Sequence, residues 1–495
     1  MPYILALDEG TSSARSIIFD HNAKEIAIHQ VPIACQFPHD GWVEQDADEI
    51  WLAQLSATHQ VIAKAGIPVS EIAAIGIANQ RETTIVWDRY TGKAVSPAIV
   101  WQCRRTNEIC RQLLEDGHGP YINACTGLVV DPYFSATKIA WILGNISGAR
   151  ERAQRGDLIF GTVDSWLIYK LTGGRSHLTD YSNASRTMLL DLHKGSWDDN
   201  LFQLLDIPTT MRPRVIPSSG VATTTDATIL GAEIPIAGIA GDQQSALFGQ
   251  MCFREGFLKN TYGTGSFVLL HTGTKAVASN HKLLSTMAAV ASEQREYALE
   301  GSIFVAGAAV KWLCDSLGML KTTAQSDEIA SSVADSAGVY LVPAFTGLGA
   351  PHWDSSARGV ITGLTHSSSK AHIVRAALEA IAYQTRELVE AMESDTGVPL
   401  IEVRADGGAA ANNFLMQFQA DILGKPVVRP SYTETTALGS AFLAGLGTDV
   451  WQETAELEGF WQVDRRFEPQ MTAKHREDLF QGWRYALEKA KDSKT

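Results

Sequence analysis

The chain opens on an apolar run, Tyr3-Ile4-Leu5-Ala6-Leu7, breaks into Asp8-Glu9-Gly10-Thr11-Ser12-Ser13-Ala14-Arg15, and turns apolar again at Ile17-Ile18-Phe19. Two short apolar runs around a polar, glycine-bearing tip predict a β-hairpin. Residues Glu25 to Val31 alternate in character and predict a third antiparallel strand. From Asp46 to Lys64, Trp51, Leu55, Thr58 and Ile62 recur at helical spacing behind an acidic start, which predicts a helix packed on that sheet. Ile72 to Ala78 is apolar throughout, as a strand covered on both faces must be, and it delivers Asn79-Gln80-Arg81-Glu82 at its carboxyl end. Open α/β sheets collect their ligands at that edge.

Further along, Thr83 to Asp88 predicts a strand, and Ala98 to Gln102 brings Trp101 and the pair Arg104-Arg105 toward the same edge. Asp131-Pro132-Tyr133 precedes a helix carrying Ile139, Ile142 and Leu143, so Tyr133 is expected to point from a loop into a cleft. Leu158 to Val163 predicts a buried strand, followed by a helix from Asp164 to Leu171 that stops at Gly173-Gly174. Ile234 to Ala240 is another strand, ending in Gly241-Asp242-Gln243. Leu258 to Leu270 then repeats the opening design: strand, Gly263-Thr264-Gly265 tip, strand.

Two such hairpins, each heading about half of the chain, imply an α/β protein of two similar domains clasping one nucleotide. The boundary falls between Ala246 and Phe257, giving domains 1–249 and 250–495. In the second half the pattern predicts an apolar helix from Ile303 to Leu317, a strand from Val339 to Phe345, and a core helix from His372 to Met392 with Ile373, Ala377, Ile381, Leu388 and Met392 on one face. Glu402 to Asn413 reads as strand, diglycine turn and helix start, and the Lys/Glu-rich tail after Ala473 as a solvated, fraying helix.

Composition narrows the field. At 495 residues the chain exceeds one ordinary core, and 45% hydrophobic with 19% charged residues is the make-up of a globular enzyme. A formal net charge of -14 disfavours nucleic acid and anionic membranes, so an anionic ligand needs local cations. The six cysteines lack Cys-x-x-Cys spacing, which argues against zinc or a disulfide framework and for reduced thiols. The N-terminus lacks a basic signal-peptide region, and no apolar run approaches the roughly 20 residues of a membrane span, so a cytoplasmic location is expected.

The first hairpin tip suits a metal-bound polyphosphate: Gly10 lets the backbone turn, Thr11, Ser12 and Ser13 offer hydroxyls, Arg15 adds charge, and Asp8 would lie beside magnesium. Because a strand follows the tip, it is not a P-loop; an ordinary hairpin turn is the plainer alternative. Arg81-Glu82 beside Trp101 can bind vicinal hydroxyls against an apolar wall, although a surface ion pair over a core tryptophan has the same residues. Asp242 stands where a general base would be held, or simply caps a helix. Gly307 lets a ligand lie close to its helix backbone; Gly407-Gly408 permits close approach of a flat base or ribose and Asn412 can bond it, with a tight βα turn as the plainer alternative for the diglycine.

Taken together, the Asp8–Arg15 hairpin, Asn79-Gln80-Arg81-Glu82-Thr83-Thr84, Trp101-Gln102-Cys103-Arg104-Arg105-Thr106, Asp131-Pro132-Tyr133-Phe134-Ser135, Gly241-Asp242-Gln243-Gln244, Tyr262-Gly263-Thr264-Gly265 and Asp406-Gly407-Gly408 resemble the FGGY carbohydrate kinases, in family order along nearly the whole chain. The resemblance implies two ribonuclease-H-like domains of the actin and sugar-kinase type, with ATP and substrate in the cleft between them. It implies ATP- and Mg2+-dependent phosphorylation of glycerol, with Asp242 as catalytic base and Arg81, Glu82, Trp101, Tyr133, Asp242, Gln243 and Phe267 around the substrate. Nucleotide contacts carry over to Thr11, Ser12, Ser13, Arg15, Thr264, Gly307, Gly408 and Asn412, with Asp8 near the metal, and a homodimer or homotetramer is expected. Glu9 departs from the glutamine usual there. A kinase for another small polyol or ketose, or an actin-like ATPase driving a binding module, would share the hairpins and the cleft.

Overall fold

The computed structural model describes residues 2–292, 294–354 and 356–491. The first sheet has six strands: β1 (Tyr3–Glu9), β2 (Ser13–Phe19), β3 (Glu25–Pro32), β4 (Ile72–Asn79), β5 (Ser219–Thr224) and β6 (Pro235–Gly241), in the order β5-β6-β4-β1-β2-β3. The second has seven: β7 (Phe257–Tyr262), β8 (Ser266–His271), β9 (Leu284–Met287), β10 (Tyr297–Ile303), β11 (Glu402–Asp406), β12 (Val427–Pro430) and β13 (Val463–Phe467), in the order β9-β10-β8-β7-β11-β12-β13.

The two sheets share a plan. In each, a hairpin pairs antiparallel with a third strand on one side (β1-β2-β3, β7-β8-β10), and its first strand continues on the other through two successive parallel pairings (β1-β4-β6, β7-β11-β12). The architectural repeat expected from the two hairpins is therefore present. The parallel register sets Glu9 beside Asn79 and Asn79 beside Gly241, so the carboxyl ends of β1, β4 and β6 open on one edge. Thr261 beside Asp406 does the same in the second sheet.

Helix α1 (Ala47–Ala65) is capped by Asp46, which accepts from the amides of Asp48 and Glu49, and it ends at left-handed Gly66. Its buried stripe is Ile50, Ala53, Gln54, Ala57, Thr58 and Val61, with Trp51, Leu55 and Ile62 on the flank, so the expected face is rotated. The reason is polar: Gln54 Nε2 donates to Ser16 Oγ at 2.8 Å and Ser16 meets the Thr58 hydroxyl at 3.1 Å, a buried line that hydrophobicity alone does not mark. Helices α2 (Ser135–Asn145) and α3 (Val163–Leu171) are among the others of this half, and α4 (Asp242–Gly249) leaves the end of β6.

In the second half, α5 (Gly307–Asp315) begins four residues later than expected, because Ile303 ends strand β10, paired to Ser266. Helix α6 (Lys370–Thr396) buries Ala377, Ile381, Leu388 and Met392 as expected, with Ile373 at its partly buried start. It is followed by α7 (Asn413–Leu423), α8 (Thr435–Leu446) and α9 (Ala473–Lys491). The expectation that the last segment frays in solvent is corrected over its described residues. Phe480, Trp483 and Leu487 are buried, and Trp483 stacks on Tyr383 with ring centroids 5.3 Å apart. Its lysines and glutamates had masked an i, i+3, i+7 apolar stripe; residues 492–495 lie outside the described residues.

Helix α8 lies on the first sheet, not the second. Its Ala437, Ala441, Phe442 and Ala444 share a core with Ile4, Ala6, Ile17, Phe19, Ala237 and Ala240. Glycines make the approach possible: a Cβ on Gly76 or Gly238 would strike the backbone of α8, and where α8 crosses α4 one on Gly249 would strike Thr435 O and one on Gly439 Ser245 O. Among the described residues no helix is long and apolar enough to cross a membrane.

Candidate active site in the cleft

The first hairpin tip is short, since β1 runs to Glu9 and β2 starts at Ser13, leaving Gly10-Thr11-Ser12 as the turn. Gly10 N donates to Ser13 O at 3.0 Å, Gln45 Nε2 to Thr11 O at 2.6 Å, and Ile33 N to Ser12 O at 2.9 Å, so the tip is tied down from three sides. The Thr11 hydroxyl accepts from Trp101 Nε1 at 2.9 Å and the Ser13 hydroxyl from Gln30 Nε2 at 2.7 Å. Each hydroxyl keeps its own proton to donate. Arg15 pairs with Glu434, just ahead of α8, and lies 3.9 Å from Asp8.

Next to the tip, Trp101, Tyr133 and Phe267 form an edge-on aromatic wall with centroids 5.6 Å (Trp101–Tyr133) and 6.3 Å (Trp101–Phe267) apart, drawing on both halves of the chain. Asp242, the first residue of α4, keeps a side chain 28% exposed and meets Arg81 Nε at 3.2 Å. Gln243 N donates to Asp242 Oδ1 at 2.7 Å, which fixes the carboxylate's rotation. The structure thus brings Arg81, Asp242 and Gln243 together and sets Trp101, Tyr133 and Phe267 against one another. Arg104 and Arg105 go elsewhere: Arg104 pairs with Asp131, and Arg105 pairs with Glu44 and stacks over Trp42 and Trp141.

Beneath this wall lies a buried charge network that the sequence reading missed. Arg81 pairs with Glu300 of β10 through both terminal nitrogens, Arg186 NH2 donates to Glu300 Oε1 at 2.9 Å, and Arg186 Nε donates to Glu82 Oε1 at 2.7 Å. The Arg186 and Arg81 guanidinium groups hold Glu300 down at a pKa of about 2 against the opposing effect of burial. Glu82 has a left-handed backbone, φ 59°, and its carbonyl is held by Ser135 Oγ (3.1 Å), Lys138 Nζ (3.0 Å) and Thr84 Oγ1 (2.9 Å). Lys138 also donates to Tyr133 O at 2.6 Å, and burial pushes its pKa down to about 7. Arg81 and Glu82 stood out in the sequence; among the other members the signal was Glu300, a lone carboxylate inside the apolar strand Tyr297–Ile303.

The second hairpin presents its tip differently. Ala306 N and Ala308 N donate to Thr264 O at 2.9 and 3.1 Å, and Gly307 N to Gly263 O at 3.0 Å, so the first amides of α5 are consumed by the tip. A Cβ on Gly307 would come within 2.6 Å of Gly263 O, so the glycine serves this backbone contact. Gly407, at φ 85°, makes the turn after β11, whereas a Cβ on Gly408 would meet open space. Asn412 caps α7 by accepting from Leu415 N at 2.8 Å and donates to Ser326 Oγ at 3.0 Å.

Burial, and to a smaller extent the neighbouring Asp242, raise Asp8 to a pKa of about 6, with Arg15 opposing them. Asp8 and Asp242, each partly exposed and electrostatically coupled, offer the hard carboxylate oxygens that a divalent cation such as Mg2+ takes. The residues fit the ion.

Comparison with known proteins identifies the family. The profiles for the FGGY family of carbohydrate kinases match at residues 3–249 (N-terminal domain) and 258–448 (C-terminal domain). The chain is 57% identical over 488 residues to a glycerol kinase of Caldanaerobacter subterraneus subsp. tengcongensis, covering 99% of this chain and 98% of that one. It is 55% identical over 490 residues to glycerol kinase 2 of Thermotoga maritima, covering 99% of each. Among solved structures, the glycerol kinase of Plasmodium falciparum with ADP superposes with a TM-score of 0.94 at 34% identity, over 99% of this chain and 98% of that one.

Proposed function

The chain belongs to the FGGY family of carbohydrate kinases, and from that premise we propose that it transfers the γ-phosphoryl group of ATP to a terminal hydroxyl of glycerol, giving sn-glycerol 3-phosphate and ADP. The observation that carries the reading is the Asp242 carboxylate, partly exposed, rotationally fixed, paired to Arg81 and electrostatically coupled to Asp8. Asp242 takes the hydroxyl proton as the substrate oxygen bonds to phosphorus and the bond from phosphorus to the β–γ bridging oxygen breaks. Arg81, Glu82 and Gln243 bind the hydroxyls, and Trp101, Tyr133 and Phe267 wall the carbon skeleton.

Thr11, Ser12, Ser13 and Arg15 face the phosphates, with Thr264, Gly307, Gly408 and Asn412 on the nucleoside side, so residues 1–249 contribute mainly polyol contacts and 250–495 mainly nucleotide contacts. Asp8 would hold Mg2+, which when bound neutralises charge on the transferring phosphates. Glycerol kinases of high identity support the substrate. A cytoplasmic homodimer or homotetramer is the form expected, and light scattering on the purified protein reads the assembly. The function itself is tested by ADP release with glycerol, dihydroxyacetone, erythritol and xylulose in turn. Glycerol should give the highest kcat/KM; no turnover with glycerol, or ATP hydrolysis indifferent to every polyol, overturns the reading.

A further inference from the structure

Lys259 lies on β7 with no exposed surface, yet its ammonium points at the substrate wall. Nζ donates to Gln243 Oε1 and approaches Phe267 O at 3.5 Å. Both acceptors are neutral, and burying an ammonium without an anionic partner is costly, so an apolar side chain would serve the core better. Burial lowers its pKa to about 8, with Asp406 and Asp242 opposing the fall, so the ammonium is still the main form at neutral pH. What the lysine does for Gln243 follows from its chemistry: an ammonium has no acceptor, so only the amide oxygen can face it, and the NH2 must point the other way. That NH2 takes no protein acceptor among the described residues, and it is not sealed in the interior.

We infer that Lys259 is a positioning residue that presets the Gln243 amide, oxygen toward the core and NH2 toward the cleft, so that the site meets a substrate hydroxyl with a donor. This rests on the reading of the cleft as a polyol site. Without the lysine the amide is free to flip, and half of its orientations would offer the hydroxyl an acceptor in competition with Asp242.

The experiment is a double-mutant cycle on the full-length enzyme with Lys259→Met, Gln243→Leu and the pair, each checked for folding by thermal unfolding. The polyol is whichever of the four above the wild type turns over fastest, so a wrong substrate shows in the wild type and a wrong role for Lys259 only between variants. Lys259→Met is expected to raise polyol KM about ten-fold, the worth of one substrate hydrogen bond, with kcat and ATP KM within about three-fold. In the Gln243→Leu background the same change should add less than about two-fold. An unchanged polyol KM in Lys259→Met, or the full factor persisting in the Gln243→Leu background, overturns the inference. Should Lys259→Met not fold, Lys259→Leu removes the same donor with another apolar shape, and the same cycle is run with the same two outcomes.

Discussion

Arg81 meets four partners at once: Glu300, Asp242, Gln244 and, at 3.9 Å, Glu82. A single guanidinium therefore orients the proposed base and one polyol contact. Asp242→Asn keeps the shape and loses the proton acceptor, so kcat should fall by ~10²–10⁴-fold while glycerol binding by calorimetry stays measurable; near-normal kcat would remove Asp242 from the role. Glu300→Gln leaves two buried guanidinium groups facing a neutral amide. It should lower unfolding stability by about 3 kcal/mol or more and raise glycerol KM, both read against wild type by denaturant titration and steady-state assay. At this scale the sequence marked residues that the structure gathers around Asp242 and was poor about what stands behind them. Arg81, Glu82 and Asp242 sit at strand ends where a period-two or continuous apolar pattern stops, which anyone can read. Arg186, Lys138 and Lys259 occupy polar or mixed segments, and only their burial tells them apart from surface charges.

Both hairpins were legible because each places glycine and hydroxyl residues between two apolar runs. Less so were α1, whose buried line includes Gln54 and Thr58, and α9, whose apolar stripe is diluted by charge. The start of α5 was obscured because Tyr297–Ile303 is as apolar as the helix that follows it. Helix α8 is the element most dependent on missing side chains. Gly439→Ala drives a methyl into Ser245 O at the crossing with α4 and should cost on the order of 3 kcal/mol in chemical denaturation. Gly144→Ala, exposed near the end of α2 with nothing within 4 Å, should be neutral or stabilising by up to about 1 kcal/mol. Equal effects at the two positions would refute the close-approach account.

For the molecule as a whole, acid sensitivity should have an identifiable source in His177. Burial lowers its pKa from 6.5 to about 4 although the ring meets Phe160 O at 2.8 Å. The native state thus holds the neutral imidazole where the unfolded chain is already protonated. The contribution to stability is complete above pH 6.5 and is lost as pH falls toward 4, by up to about 3 kcal/mol. His177→Gln removes the titrating group, and its stability should decline less than that of wild type between those pH values. A parallel decline in both proteins would place the acid sensitivity elsewhere.

Helix α8 belongs to the later part of the sequence but seals one side of the earlier part's sheet. The halves are therefore laced, not juxtaposed: a gene cut at residue 249 would release a first piece with Ile4, Ala6, Ile17 and Phe19 stripped of their cover. Expressed alone, that piece should precipitate; supplied together with the remainder it should be rescued, and the recovery of phosphotransferase activity in the mixed lysate would measure how much of the lacing forms without a peptide bond between them.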